Sequence, residues 1–391
     1  MTNPAGKLLI QVHADGVGIA STRPVQAARL LVGRGTAQTL HLLPALFSIC
    51  ASAQATAGVT AIEQALALTT DPAVGARRRQ LVAVETVREH LWRILLDWPR
   101  ALSEPPDTAA MAAAMAADAA WRATLTAGGD LLTPAARATV GAAPTTVPAR
   151  LQLAELGARW VFGLAPDTWL GQVDGLATLV TWAERTETVA ARLVRRVLAA
   201  DWAGLGRCAV DALPELPAPD LERHLAGADP AADAFVARPN WDGQARETSA
   251  FTRQLAWPLV LDLTERFGNG LLPRLAAQLT EVARGLAATA GESAPPASAP
   301  LPPGVGLAQV QAARGLLVHR VRLADEQIAE YRILAPTEWN FHPQGVVAAG
   351  LSGLVQHAAP AELEPLARLF ITAVDPCVDF DLNFFTDRLD R

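Results

Sequence analysis

Alternating hydrophobic and polar positions predict a β-hairpin near the start of the chain. Leu8, Ile10 and Val12 share one side of an extended segment, and Asp15-Gly16 follows them with the residues of a tight turn. Val17 to Ala20 then supplies a returning strand. We therefore expect a hairpin over residues 8–20.

A second hairpin is predicted over Leu316 to Leu334, where a charged turn separates two apolar runs. In its first strand, Leu317 and Val321 fall on the same face as His319 by period-two counting. His319 should point inward, and a buried histidine is usually a hydrogen-bonded strut rather than a metal ligand.

Most of the remaining chain has the three-and-four spacing of amphipathic helices. One stripe of the first helix carries Phe47, Cys50 and Gln54. The predicted helices cover Pro44 to Leu68, Leu81 to Trp98, and roughly residues 170–200 and 253–289. The expected fold class is α+β, mainly α, with a central bundle of long helices and peripheral β-hairpins. We expect one domain over residues 1–391, with a flexible loop rich in Pro, Ala and Ser at 291–304.

Composition argues against several classes of partner. The net charge is −6, and the one basic run, Arg77-Arg78-Arg79, is more typical of a solvated helix start than of a nucleic-acid site. No stretch of about 18 uncharged apolar residues is present, so we expect a soluble, cytoplasmic protein that binds neither nucleic acid nor membrane.

The three cysteines, Cys50, Cys208 and Cys377, contain no CxxC pair, which excludes a disulfide framework and a zinc ribbon. Cys377 follows Asp375-Pro376 directly. Because proline disfavours a helical residue before it, we expect Asp375 to be extended and a helix from about Ala361 to end there. Without other information, each thiol is more often a small buried hydrophobe than a ligand.

The segment around Cys377 resembles the C-terminal signature of nickel-iron hydrogenase large subunits, in which Asp-Pro-Cys is followed by a second Cys and a His. Here Phe380 stands in place of that second Cys and Asn383 in place of the His. The segment around Cys50 resembles the N-terminal signature of the same family, with Phe47 replacing the first Cys and Gln54 replacing the His.

Further matches follow in the same order along the chain. Asn240-Trp241-Asp242-Gly243, Ala313 to His319, and Pro336 to Asn340 resemble internal motifs of the hydrogenase subunits. Gln344 stands where these subunits carry an Arg near the diatomic ligands of iron. The first strand also lacks the proton-relaying Glu of the family.

The resemblance implies a hydrogenase-like fold without catalysis, since two of the four thiolates of a nickel-iron site are missing. By position, Cys50 matches a bridging ligand that touches iron, and Cys377 matches a ligand of nickel alone. Gln54, Asp375, Gln344 and His319 match or replace residues expected around the two thiols.

The degenerate motifs are most similar to hydrogenase accessory proteins of the HupK and HoxV type. This resemblance implies a maturation scaffold that transiently holds iron with its cyanide and carbonyl ligands, and it leaves nickel binding open. The implied partners are hydrogenase maturation proteins or the hydrogenase large subunit. Two alternatives remain: a metal-free chaperone that mimics the large subunit to recruit maturation factors, and a divergent hydrogenase-like redox enzyme.

Overall fold

The structure is a computed structural model that describes residues 5–127, 129–137, 147–227, 230–287 and 300–385. Helices dominate, as the hydrophobic periodicity predicted. In chain order they are α1 Thr36–Leu46, α2 Ala51–Ala65, α3 Pro72–Trp92, α4 Trp98–Ala101, α5 Thr108–Thr126, α6 Val147–Gly157, α7 Pro166–Gln172, α8 Leu176–Arg185, α9 Val189–Ala199, α10 Ala218–Leu225, α11 Pro230–Ala237, α12 Ala250–Gln254, α13 Pro258–Phe267, α14 Leu271–Leu286, α15 Pro336–Asn340, α16 Val346–His357 and α17 Pro360–Val374. The strands are β1 Leu8–His13, β2 Gly16–Ser21, β3 Val305–Ala312, β4 Gly315–Ala324, β5 Gln327–Leu334 and β6 Phe380–Phe384.

Helix α14 lies at the centre of the bundle. It contacts α3, α7, α12 and α13, and α3 in turn contacts α2 and α5. Nearly every side chain of α14 is buried, which is typical of a helix surrounded by others on all sides. The mainly-α class and the central bundle are therefore confirmed.

The first predicted hairpin is present and belongs to a three-stranded sheet of order β2-β1-β6. Leu8, Ile10 and Val12 are buried, as their alternation predicted. Strand β6 was not predicted; it pairs in parallel with β1, with Leu8 opposite Phe380. Because β6 begins three residues after Cys377, this pairing anchors the segment that carries the thiol.

The second hairpin, β4 and β5, is also present and is extended by β3 into an antiparallel sheet of order β3-β4-β5. Strand β3 lies so close to α2 that a Cβ at Gly306 would stand 1.7 Å from the carbonyl oxygen of Ala61. The missing side chain therefore allows the sheet to contact α2, the helix that begins immediately after Cys50.

The prediction of one continuous helix over Pro44 to Leu68 is wrong, because two separate helices cover this region. Helix α1 ends at Leu46, a 3-10 turn covers Ser48–Cys50, and α2 starts at Ala51, with a bend of 102° between the two axes. The Glu85 carboxylate of α3 accepts the N–H groups of Ser52 and Ala53 at 2.7 and 3.0 Å. This tertiary cap gives α2 a separate N-terminus, so Phe47 and Cys50 do not lie on one helical stripe.

The helix predicted over Leu81 to Trp98 begins earlier than expected. Asp71 caps α3 by accepting the N–H of Ala73 at 2.9 Å, and Pro72 occupies the first turn. After Trp92 the chain continues through a π-helical turn over Arg93–Asp97 into α4. Such turns often accompany functional sites, and Arg93 lies in this one.

The long helices predicted over 170–200 and 253–289 are each divided into three. In the region predicted over 170–200, the Thr178 hydroxyl accepts the Gly175 N–H at the start of α8, and the Thr188 hydroxyl accepts the Ala191 N–H at the start of α9. In the second, Pro258 opens α13, and Gly270 lies against the backbone of Ala203 and Gly204. Capping and close backbone contact override the periodic pattern at these positions.

Helix α17 ends at Val374, as the Asp-Pro pair predicted, but the predicted conformation of Asp375 is wrong. Its φ of 70° and ψ of 82° are left-handed rather than extended. The Asp375 N–H bonds the carbonyl of Ile371, and the carboxylate binds Arg93 and Arg314. These contacts stabilise a backbone conformation that costs free energy in isolation.

The expectation of a single domain stays a prediction. Of the proposed flexible loop at 291–304, residues 291–299 lie outside the described residues. Within the described ranges no single helix has the length and apolarity to cross a membrane, although the bent pair formed by Thr36–Leu46 and Ser48–Ala65 satisfies both criteria jointly.

We expect Gly306→Ala to lower the free energy of unfolding by about 3 kcal/mol, because its Cβ would collide with the backbone of α2. Urea unfolding monitored by circular dichroism measures the change. Gly171→Ala in α7 is the matched control; a Cβ there meets no atom within 4 Å, so we expect no loss. Equal stability of both variants would contradict the close contact between β3 and α2.

Candidate functional site

Cys50 lies at the junction between the 3-10 turn and α2, where it is the residue that precedes the helix. Gln54 stands one turn further along α2 and donates its Nε2–H to the Cys50 Sγ at 3.5 Å. Cys50 is half-buried, whereas Gln54 is buried. The sequence therefore paired these two residues correctly, even though the helix start was misplaced.

A chain of hydrogen bonds fixes the orientation of Gln54. His319 Nε2 lies 2.8 Å from Gln54 Oε1, and His319 Nδ1 lies 2.8 Å from the Tyr331 hydroxyl. Since Gln54 donates to Cys50, its oxygen accepts from His319 Nε2–H, and Nδ1 accepts from Tyr331. Burial lowers the pKa of His319 to about 3, so the imidazole is neutral and acts as the expected structural strut.

Burial also raises the pKa of the Cys50 thiol to about 12, and negative charge on Glu85 and Cys377 raises it further. The bond from Gln54 and the charge of Arg314 oppose this shift. Cys50 is therefore a protonated thiol at neutral pH. The mutual influence of the two cysteines means that Cys50 and Cys377, 327 positions apart in sequence, lie within electrostatic reach of each other.

Cys377 follows the end of α17 and is half-buried. The Thr337 hydroxyl of α15 donates to the Cys377 Sγ at 3.0 Å. Each of the two thiols thus accepts a hydrogen bond from a neutral side chain.

Asp375 is 3% exposed and joins the C-terminal segment to two other parts of the fold. Arg93 Nε lies 2.7 Å and Arg314 Nε lies 3.1 Å from Asp375 Oδ1. Both guanidinium groups also donate to the Pro376 carbonyl. Burial would raise the pKa of Asp375, but Arg314 and Arg93 outweigh it and lower the pKa, so the carboxylate stays ionised.

Two arginines lie within electrostatic reach of both thiols. Arg314, at the start of β4, binds Glu89 at 3.0 Å in addition to Asp375. Arg23, which follows β2, donates to Glu338 Oε1 at 2.6 Å. Negative charge on Cys377 and Cys50 contributes to the raised pKa of each guanidinium, after the opposing effect of burial.

Sequence reasoning missed Arg23, Thr337, Tyr331, Glu85 and the role of Arg314. Arg314 stands in one of the internal motifs, but no pattern in the sequence connects it with the two cysteines. Arg23 has no sequence signal at all, because it comes from the loop after the N-terminal hairpin. Long-range contacts of this kind are not visible in local periodicity.

Gln344 and Cys208 form contacts with other residues. Gln344, expected near the thiols, is exposed in the turn before α16, where its N–H binds His342. Cys208 lines an open groove of about 520 Å³ and accepts a hydrogen bond from Asn269 at 3.6 Å. It packs against the main core, in agreement with the packing role that was expected.

The described residues bring few metal-ligating side chains together. Across the described ranges, no group of three or more His, Cys, Asp or Glu side chains is placed to hold a metal ion. Cys50 and Cys377 offer two sulfur donors, which suit soft metal centres. Any metal bound there would need ligands that this part of the chain does not supply.

Comparison with curated proteins places the chain among hydrogenase accessory proteins. It is 33% identical to the hydrogenase expression/formation protein HoxV of Cupriavidus necator, with 94% of this chain and 92% of the relative covered. It is 31% identical to HupK of Azotobacter vinelandii, with 97% and 98% covered. The chain belongs to the HoxV/HupK family of hydrogenase expression/formation proteins.

Further comparisons agree with this family. A nickel-dependent hydrogenase family model matches residues 229–379, which include Arg314 and Cys377. The Ni-Fe-Se hydrogenase from D. vulgaris Hildenborough has a TM-score of 0.59 and 18% identity, with 93% of each chain covered. The NAD+-reducing [NiFe]-hydrogenase has a TM-score of 0.55 and 12% identity, with 93% of this chain and 92% of that chain covered. These likenesses show that this HoxV/HupK family member shares the hydrogenase fold.

The burial of Cys50 predicts an unusual pH dependence of alkylation. With a pKa of about 12, its thiolate fraction at pH 8.5 is roughly a thousand-fold below that of a free cysteine peptide. We expect its iodoacetamide rate, followed by peptide mass spectrometry, to rise about tenfold per pH unit from pH 8 to 10.

Gln54→Leu removes the bond to Cys50 and should slow this alkylation further. Gln309→Leu is the matched control, because Gln309 donates to the Leu216 carbonyl at 2.9 Å instead. A wild-type rate that reaches a plateau near pH 9 would contradict the buried, protonated thiol.

Proposed function

We propose that this protein is a non-catalytic scaffold in nickel-iron hydrogenase maturation, which holds or passes on iron with its cyanide and carbonyl ligands before insertion into the large subunit. The observation that carries the proposal is that two thiols from distant segments lie within electrostatic reach of each other and of Arg314. Family membership supports the maturation role, since the relatives are named hydrogenase expression/formation proteins.

Two thiols favour a ligand-capped iron over a bare ion. Thiolates are good ligands for iron, but two of them leave most coordination positions unfilled. Cyanide and carbonyl would fill those positions before the iron reaches this protein. No third metal-binding side chain joins the thiols in the described part of the chain, so the cargo must bring the rest.

A scaffold that passes on its iron cargo needs to bind that cargo weakly enough to release it. A centre held by two protein ligands exchanges more readily than one held by four, and Cys50 has to lose its proton before it can bind. A proton returning to a thiol with a pKa of about 12 favours release of the cargo. The high pKa of Cys50 therefore opposes binding of the iron cargo and favours its release.

Hydrogen cleavage is not proposed. The sequence has Phe47 and Phe380 in place of two thiolates, and Gln344, at the position of the family's Arg, is exposed. Catalytic metal sites depend on both their ligands and the residues that support these ligands. With both sets incomplete, a divergent redox enzyme has no observation in its favour.

One observation favours a second candidate function, a metal-free partner that mimics the large subunit. Ile49 and Trp92 are 41% and 42% exposed, and the Ile49 carbonyl accepts from Arg88, one turn before Trp92 on α3. Large exposed apolar side chains beside Cys50 would suit contact with a maturation protein. Under this alternative the thiols are packing residues.

Cysteine substitutions separate the two candidates. We expect Cys50→Ser to reduce the iron that copurifies anaerobically by at least about tenfold, because its sulfur matches a ligand that touches iron. Cys377→Ser should have a smaller effect. Cys208→Ser is the control, since Cys208 belongs to a different surface groove. Iron is measured by plasma mass spectrometry, and hydrogenase activity of the producing cells reports maturation.

Two outcomes would contradict the iron-holding role. One is a loss for Cys208→Ser as large as that for Cys50→Ser. The other is unchanged iron and unchanged maturation in both Cys50→Ser and Cys377→Ser while each variant stays folded by circular dichroism. Either result would favour the metal-free partner.

A further inference from the structure

A cleft of about 840 Å³, lined by neither Cys50 nor Cys377, lies among three connecting segments of the helical part of the chain. These segments are the loop that precedes α5, the link from α8 to α9, and a π-helical turn over Ala158–Phe162 that follows α6. Ligand sites in proteins usually enclose roughly 300–1,000 Å³. The cleft is therefore large enough for a sizeable ligand, and the proposed function does not use it.

The acidic side chains that line this cleft already have hydrogen-bond donors. Glu104 accepts two hydrogen bonds from Arg192, at 3.0 and 2.6 Å. Glu187 accepts one from Arg195 Nη2 at 3.0 Å, and Asp107 caps the start of α5. Because each carboxylate is engaged in this way, the cleft presents little uncompensated negative charge.

Two arginines in the lining carry uncompensated positive charge. Arg159 and Arg185 are both exposed, and the guanidinium group of neither forms a hydrogen bond or an ion pair with any residue that the structure describes. The Arg159 guanidinium carbon lies 5.8 Å from the centroid of the Trp160 ring, which is a cation-π contact. The free charge of the cleft is therefore positive and favours an anionic ligand.

The rest of the lining suits an acidic peptide better than a phosphate group. Apolar groups, among them Pro105, Pro106 and the half-buried Trp160, share the lining with the arginines. A phosphate-binding loop would offer free backbone N–H groups, but Gly163 in this lining donates its N–H to the Ala158 carbonyl at 2.8 Å. Arginine and tryptophan are enriched in protein–protein contacts, and clustered arginines recognise acidic segments.

Hydrogen bonds between the lining segments hold the cleft in shape. The Asp107 N–H donates to the Leu95 carbonyl at 2.9 Å, which attaches the loop before α5 to the turn that continues α3. The Thr188 hydroxyl donates to the Val161 carbonyl at 2.7 Å, which attaches the start of α9 to the turn after α6. A preformed site loses less conformational entropy on binding, so a short segment of chain can be held there.

We propose that this cleft binds an acidic segment of a partner protein, with Arg159 and Arg185 pairing with carboxylates of the segment and Trp160 packing against one of its apolar side chains. The inference goes beyond the proposed function, because it concerns recognition of a protein and requires no iron. It also differs from a contact through the exposed Ile49 and Trp92, since it depends on charge.

The test uses charge variants of the full chain. Arg159→Glu/Arg185→Glu reverses both free charges, whereas Arg159→Lys/Arg185→Lys keeps them. The matched control is Arg207→Glu/Arg238→Glu, which makes the same change at two exposed arginines outside the cleft whose side chains form no hydrogen bond or ion pair with a described residue. Circular dichroism confirms that each protein is folded, and Arg159→Gln/Arg185→Gln replaces the reversed variant if that one unfolds.

The probes are a short fluorescein-labelled peptide rich in Glu with one central Phe, and the same peptide with Gln in place of Glu. Fluorescence polarisation measures their binding, and polyphosphate serves as a competitor. We expect the wild type to bind the acidic peptide at least about tenfold more tightly than the neutral one. Reversing both charges should weaken binding of the acidic peptide at least about tenfold, while the Lys variant and the control stay within a few-fold of the wild type.

Salt provides an independent readout of the same contacts. Raising the ionic strength from about 0.05 to 0.5 M should weaken binding of the acidic peptide to the wild type several-fold, because exposed charges are screened. The Arg159→Gln/Arg185→Gln variant, which lacks these charges, should respond to salt less than the wild type does.

Equal affinity of the wild type for both peptides, or unchanged affinity of the reversed variant for the acidic peptide, would overturn this inference. Polyphosphate that binds more tightly than the acidic peptide would overturn it too, and would assign the cleft to a non-peptide anion. So would self-association of the wild type in analytical ultracentrifugation that the reversed variant lacks, since the occupant would then be a second copy of this chain. Each of these results would leave the iron-holding role intact.

Discussion

The rest of the site depends on the hydrogen-bonded ion pairs that Arg93 and Arg314 form with the Asp375 carboxylate. It fixes a left-handed residue at the end of α17, holds the Pro376 carbonyl, and so determines where Cys377 stands. Removing one member of such a buried network typically costs about 3–5 kcal/mol, because the other charges lose their partners. The β6 strand then attaches the following residues to β1.

The same network explains how two short motifs at opposite ends of the chain form one site. Glu85, Glu89 and Arg93 all belong to α3 or to the turn that continues it. Glu85 caps the helix that begins after Cys50, while Glu89 and Arg93 bind the groups that hold Cys377. Helix α3 is therefore the physical link between the two thiols, and its polar residues matter as much as its apolar face.

Much of the fold was predictable because its signals are local. Alternation identified both hairpins, and helical periodicity identified the mainly-α class. The break at Cys50 and the conformation of Asp375 were not predictable, since each depends on a tertiary contact, with Glu85 in one case and with Arg314 in the other. Strand β6 was missed for the same reason, because its partner is the first strand of the chain.

For the site itself, the resemblance selected Cys50, Cys377, Gln54 and Asp375, and the structure brings their segments together. It could not select Arg23, which comes from a loop without a motif, and it suggested Gln344, which is exposed. A substitution at a matched position shows which family residue this chain lacks. Contacts from distant parts of the chain are visible only in three dimensions. The two guanidinium groups near the thiols are visible only in the structure.

The most direct test of the central claim is infrared spectroscopy of the protein purified anaerobically from cells that produce active hydrogenase. If Cys50 and Cys377 hold the capped iron, the wild-type protein will show stretching bands of metal-bound cyanide and carbonyl, and Cys50→Ser will lose them. Folded wild-type protein without these bands, or a Cys50→Ser/Cys377→Ser variant that keeps them, would contradict the account.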